Sequence, residues 1–136
     1  MTPPLTYETA VDPATSPHIL GVIVISSGNP EAIEAAAARP DAPMGVVGLW
    51  AAPGHHEDEW AQRGLARNPA AKPANLAALA RIGSPQVRAN VAANPVTGES
   101  TLGELAQDPD HTVRRAAVAN PSTPAWARAA GGLLED

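Results

Sequence analysis

The 136-residue chain has no cysteine and no phenylalanine, and aromatic residues make up only 3% of it. Without cysteine there are no disulfides, thiolate metal sites, iron–sulfur ligands or cysteine nucleophiles. So few rings exclude a core built on large aromatic side chains. Long apolar runs are also missing. The best, Ile19–Ile25, is far shorter than the roughly 20 residues of a membrane span, so no membrane partner is expected. No basic residue precedes Arg39, which speaks against a secretory signal, and the expectation is a cytoplasmic protein.

Alanine and proline are abundant, at 29 and 15 residues. Proline at that frequency excludes a bundle of long helices, because it removes a backbone donor and clashes with the preceding turn. Alanine makes most buried side chains small. The length allows one domain with a usable core, here residues 1–136. Charge is scarce at 17% and unevenly placed. Residues 1–60 hold eight acids and one base, whereas residues 61–136 hold six acids and eight bases. Between 61 and 98 there are five bases and no acid. The formal net charge of -5 nevertheless speaks against bulk affinity for nucleic acid.

A repeat organises this composition. Asn68-Pro69, Asn94-Pro95 and Asn120-Pro121 lie 26 residues apart, and Arg39-Pro40 and Asp12-Pro13 extend the series upstream at spacings of 29 and 27. Asn29, Asp58, Ser84 and Asp110 run in the same register, with the same 29-residue exception. These four are N-cap residue types, and Pro30 and Pro85 follow two of them at the first helical position, where a missing N–H costs nothing. Each such helix ends at the X-Pro step, which pushes the preceding residue out of the α region. After a turn a second short helix starts at Pro17, Pro43, Pro73 or Pro124, and in the fourth unit Thr101-x-x-Glu104 offers a capping box. Its core pairs are Leu20/Ile23, Val46/Leu49, Leu76/Leu79 and Leu102/Leu105.

The expectation is therefore an all-α solenoid of short paired helices, with about four and a half repeats of 26–29 residues. The units are residues 12–38, 39–67, 68–93 and 94–119, with a C-terminal cap over 120–136. Helices this short are unstable alone and must be held by stacking. The segment His18–Ile25 is β-branched and reads locally as a strand. The register makes it helix, with its apolar excess sealing or dimerising the N-terminal end.

The string from Glu104 to Pro124, ELAQDPDHTVRRAAVANPSTP, resembles the leucine-rich repeat variant family. Leu105-Ala106, Asp108-Pro109, Val113-Arg114, Val118-Ala119, Asn120-Pro121 and Thr123-Pro124 carry the resemblance, and Leu79-Ala80, Val87-Arg88, Val91-Ala92 and Asn94-Pro95 repeat it. Upstream the pattern degenerates: Arg39 replaces asparagine, and Ile33 and Gln62 take the arginine position. The resemblance implies a right-handed superhelix alternating α- and 3₁₀-helices, with HEAT-like repeats as the nearest structural alternative. Some members carry a cysteine-ligated iron–sulfur cluster, a feature this chain cannot share. The resemblance implies no catalytic residues and no cofactor.

Candidate binding residues follow from what the repeat does and does not dictate. Asn68, Asn94 and Asn120 form a ladder suited to turn and helix-end hydrogen bonding. Gln62, Arg88 and Arg114 form a second, either bonding a neighbouring carbonyl or an acid such as Asp108 or Asp110, or making an anion-binding stripe. Arg63, Arg67, Lys72, Arg81 and Arg115 vary between units and are candidates for partner contact. Trp60 falls where other units carry Glu31, Gln86 and Thr112, which makes it a candidate exposed anchor. Trp50 aligns with Ala80 and Ala106 and is expected in the core; Trp126 could be either. His55-His56-Glu57-Asp58-Glu59 is the one dense run of metal-type ligands, against which stands simple capping by Asp58 with Glu57 and Glu59 at the helix dipole.

These features point to a non-enzymatic scaffold that binds another protein through its stacked helical surface. The alternative is nucleic-acid or other anion binding through the 61–98 band and the arginine ladder. A metal site at 55–59 is a more remote one. Self-association is a further expectation, the acidic first half of one copy meeting the basic second half of another.

Overall fold

The computed structural model describes residues 4–51 and 58–133. Among the described residues every regular element is helical. Five helices form one row: α1 (Tyr7–Val11), α3 (Pro30–Ala37), α5 (Glu59–Ala66), α7 (Pro85–Ala93) and α9 (His111–Ala119). Five more alternate with them in a second row: α2 (Pro17–Ser26), α4 (Met44–Val47), α6 (Pro73–Ile82), α8 (Glu99–Leu105) and α10 (Ala125–Leu133). Each helix of the first row packs on the next: α1 on α3, α3 on α5, α5 on α7, α7 on α9. In the second row α6 packs on α8 and α8 on α10, and the two rows enclose the core between them. The chain is a helical repeat solenoid.

Capping residues start these helices as the sequence predicts. The side chains of Asn29, Asp58, Ser84 and Asp110 accept backbone N–H groups in the first turns of α3, α5, α7 and α9. His18–Ile25 lies within α2, so the repeat overrides its β-branched local preference. An additional short helix, α1, precedes residue 12; Thr6 caps it and Ala10 is fully buried.

Two local expectations are corrected. Val46 and Leu49 do not form the second unit's core pair: Leu49 is exposed, Val47 is fully buried and Trp50 packs half-buried against the core. Pro17 and Pro73 stand at the first helical position, but Pro43 is the N-cap, so the helix starts one residue later and its inward face moves by one. This unit also closes with the 3₁₀ turn Gly48–Ala51 in place of further α-helix. Nor do Thr101 and Glu104 make a capping box. Gly98 caps α8 and Thr101 is buried inside its first turn, which brings Leu102 and Leu105 to the core.

The core is thin, as the composition requires. Leu20, Ile23, Val47, Leu76, Leu79, Leu102 and Leu105 supply the second row. Leu65, Val87, Val91 and Val113 face them from the first, surrounded by buried alanines such as Ala32, Ala36, Ala61 and Ala117. Each buried leucine or valine contributes roughly 1.5–3 kcal/mol and each alanine much less. Close approach of backbones compensates in part. A Cβ on Gly64 would lie 2.4 Å from the Glu34 carbonyl oxygen, so α5 sits against α3 at a distance only glycine permits.

Candidate protein-interaction groove

The polar ladders determine which side chains remain on the surface. Asn94 is 2% exposed, and its side-chain N–H groups donate to the carbonyls of Ala66 and Asn68, at 2.8 and 3.0 Å. Asn120 repeats this with Ala92 and Asn94, and Asn68 with Ala37 and Arg39. The Oδ1 of each accepts the N–H two residues on, from Ala70, Val96 or Ser122. One residue type thus ties three things at once: its own turn and two carbonyls of the preceding unit.

Arg39 performs the same task where asparagine is absent. Its Nη1 donates to Ala10 and Asp12, while Nε and Nη2 grip the carboxylate of Asp41, two residues on. The guanidinium cannot accept, so Asp41 supplies the acceptor that Oδ1 supplies elsewhere. That hydrogen bond holds the Asp41 carboxyl below the usual carboxylate range.

The second ladder also turns inward. Arg88 binds Asp108 in bidentate fashion, at 2.8 and 3.1 Å, and donates from Nη1 to Gly83. Asp108 is 8% exposed, so this is a largely desolvated pair. Arg114 donates to the carbonyls of Asp108 and Pro109, and buried Gln62 to that of Trp50.

Among the remaining predicted residues, three come together. Trp60 and Arg63 lie one turn apart on α5, with the guanidinium carbon 4.5 Å from the centre of the indole ring. Arg63 is held by Glu59 at 2.9 Å, and Arg67, directly after the helix, faces Glu34 of α3 at 3.2 Å. Together with Tyr7 and Val11 of α1 they border an open groove of about 690 Å³. Its floor is α3, where Ala35 and Ala38 leave the trough empty of side-chain bulk. The walls are amphipathic: Tyr7 and Val11 are each 45% exposed and Trp60 37%, and Glu31 and the arginines give the rim charge of both signs. Tyr7 was not singled out from the sequence; its place five residues before a ladder position (Asp12) was the available signal.

Lys72, the N-cap of α6, and Arg81, within it, lie exposed in the other row, and Arg115 is exposed on α9. The 61–98 band therefore splits: Arg63, Arg67 and Arg88 face carboxylates, while Lys72 stands at the N-cap of α6 and Arg81 lies in its last turn. Of the histidine–acid run, residues 55–57 lie outside the described residues. Asp58 caps α5 and Glu59 pairs with Arg63. Among the described residues no three metal-type side chains cluster. Trp126 is 62% exposed on α10, its ring edge close to Gly103.

Fold and ladder together define an all-helical repeat protein. Residues 85–110, from the first residue of α7 to the N-cap of α9, match the family model described as Leucine rich repeat variant. The match spans one repeat and agrees with the resemblance carried by the neighbouring string. No curated protein and no solved structure matches the chain.

Proposed function

We propose that the protein is a non-enzymatic repeat scaffold that binds a segment of another protein in the groove between α1 and α5. The observation that carries this reading is the groove's composition. Exposed Tyr7, Val11 and Trp60 stand over an alanine floor, with Arg63 and Arg67 beside them. Aromatic and arginine side chains are the residues most enriched among energetic anchors of protein interfaces. Trp60 replaces the polar residue found at that helical position in α3, α7 and α9, so repeat packing does not call for it.

Nucleic-acid binding is the weaker reading. Three of the five bases in the 61–98 band already face carboxylates, and the groove rim carries Glu31 and Glu34, which repel phosphate.

Selection from a displayed random-peptide library, run against the wild-type protein and a Trp60→Ala/Arg67→Glu variant, tests the proposal. Wild type is expected to enrich a sequence family that the variant does not retain, with amide shifts on binding confined to α1, α3 and α5. No enrichment, or equal enrichment by the variant, overturns it.

A further inference from the structure

We infer that the segment held by the groove is basic: its lysine or arginine lies between Glu31 and Trp60, and its apolar side chains fill the alanine trough. The inference rests on the groove being a protein-binding site and specifies the chemistry of what enters it. The first observation is how the groove's own charges are used. Arg39 donates to the carbonyls of Ala10 and Asp12 and to the carboxylate of Asp41. Arg63 is paired with Glu59 and Arg67 with Glu34, and the Nε of Arg63 is closed off from solvent. An anionic occupant would have to displace a carboxylate already in place. Glu31 differs: it is exposed, lines the groove and has no ionic partner among the described residues. The surroundings share its sign. The described residues from 4 to 67 carry seven carboxylates against three guanidinium groups. Uncompensated charge at the groove is therefore negative, and a cation complements it.

The second observation is register. Glu31 and Trp60 are each the second residue of their helix, and those helices, α3 and α5, pack on one another. Stacked helices stand about 8–10 Å apart. A cation sitting about 3 Å from a carboxylate oxygen and within about 6 Å of a ring centre spans that gap. The indole already attracts one guanidinium, that of Arg63 at 4.5 Å, and its ring remains partly exposed. Carboxylate and ring face thus act on the same incoming charge.

The third observation is the distance to the apolar trough. Ala35 and the C-cap Ala38 follow Glu31 by four and seven residues, about 6 and 10 Å along α3. Tyr7 and Val11 close the trough on the α1 side. The occupant's apolar side chains therefore stand about 6–10 Å from its cation, one to two turns away if it is helical.

Library peptides enriched by the wild-type protein, resynthesised and titrated by fluorescence anisotropy, test the inference. Each is expected to hold a lysine or arginine one to two turns from an apolar residue. Glu31→Gln should weaken binding about three- to five-fold, and Glu31→Lys about ten-fold or more. A peptide whose basic residue is changed to glutamate should bind the Glu31→Lys variant better than it binds wild type. Glu8→Lys makes the same change of net charge on α1 at a residue that does not line the groove, and should leave affinity within about two-fold. Glu8 and Glu31 are both exposed, and the amide spectrum of each variant verifies its fold. An enriched family without basic residues or rich in aspartate and glutamate, an affinity unchanged by Glu31→Lys, or equal losses from Glu8→Lys and Glu31→Lys overturns the inference. If binding in those cases still needs Trp60, as Trp60→Ala reports, the groove stands and only its occupant's charge is wrong. No enrichment at all overturns the groove as well.

Discussion

Arg39 Nη1 donates to the carbonyl of Asp12 at 2.6 Å, the bond that Asn94 makes to Asn68 at 3.0 Å and Asn120 makes to Asn94 at 3.1 Å. A guanidinium and a carboxamide thus do one job along the same stack. What the position requires is two N–H donors aimed at the previous unit, together with an acceptor for the chain's own turn. Asparagine holds both in one short side chain. Arginine holds only donors, and Asp41 completes it.

This requirement gives the first prediction. Asn94→Asp keeps the shape of the side chain but replaces the donors with a carboxylate facing two carbonyls. Urea denaturation should show a loss of about 2–4 kcal/mol, the cost of leaving buried polar groups unpaired. Asn94→Ala should lose a comparable amount. A loss below about 0.5 kcal/mol would mean that the ladder does not couple neighbouring units.

Arg88 and Asp108 form the most enclosed ion pair among the described residues. Arg88→Met preserves much of the stem and removes the charge, leaving the Asp108 carboxylate buried without its partner. The expected cost is about 3 kcal/mol. Arg88→Met/Asp108→Ala should recover part of it, because both charges are then gone. Thermal unfolding of the two variants beside wild type measures the difference.

Gly64→Ala places a Cβ 2.4 Å from the Glu34 carbonyl oxygen and 2.6 Å from the Ala37 Cβ. The first neighbour is backbone and cannot swing aside, so α5 has to move away from α3. We expect about 1–3 kcal/mol of destabilisation, with amide shifts on both helices. Gly28→Ala meets nothing within 4 Å, lies outside the helices and their caps, and serves as the control.

Acid stability follows from two exposed carboxylates. A hydrogen bond from Arg39 lowers the Asp41 pKa, and one from the Thr112 hydroxyl lowers that of Asp110, which caps α9. A carboxyl whose folded pKa lies below its unfolded value stabilises the fold above the unfolded value, near pH 4. That contribution fades as pH falls through the folded value. Stability should therefore decline below about pH 4. Asp110→Asn, an equally good N-cap, should keep stability at neutral pH and make the acid decline shallower. Equal acid slopes for variant and wild type would exclude Asp110 as a contributor.

The starts of α3, α5, α7 and α9 were readable because each rests on a side chain acting within its own turn, as Asn29, Asp58, Ser84 and Asp110 do. The shift from Val46 to Val47 was not readable, since Pro43 serves equally well as an N-cap or a first helical residue and only packing against the neighbouring units separates the two. Trp60 stood out at a polar position, but its partners Tyr7 and Ala35 lie 53 and 25 positions away in the chain, and no local pattern joins them.

Sequence alone determined the period, the capping chemistry, the thin alanine-rich core and the solenoid that follows, because these depend on interactions within one or two turns repeated at a fixed interval. Tertiary structure decided which charges are used up within the fold and which side chains share a surface. Arg88 turned to Asp108 and Arg39 to Ala10 and Asp12, while Arg63 and Arg67, paired with Glu59 and Glu34, came to border an open groove beside Trp60. Those outcomes depend on distances between units, and stacking sets these through the side-chain volumes of the neighbours on both sides.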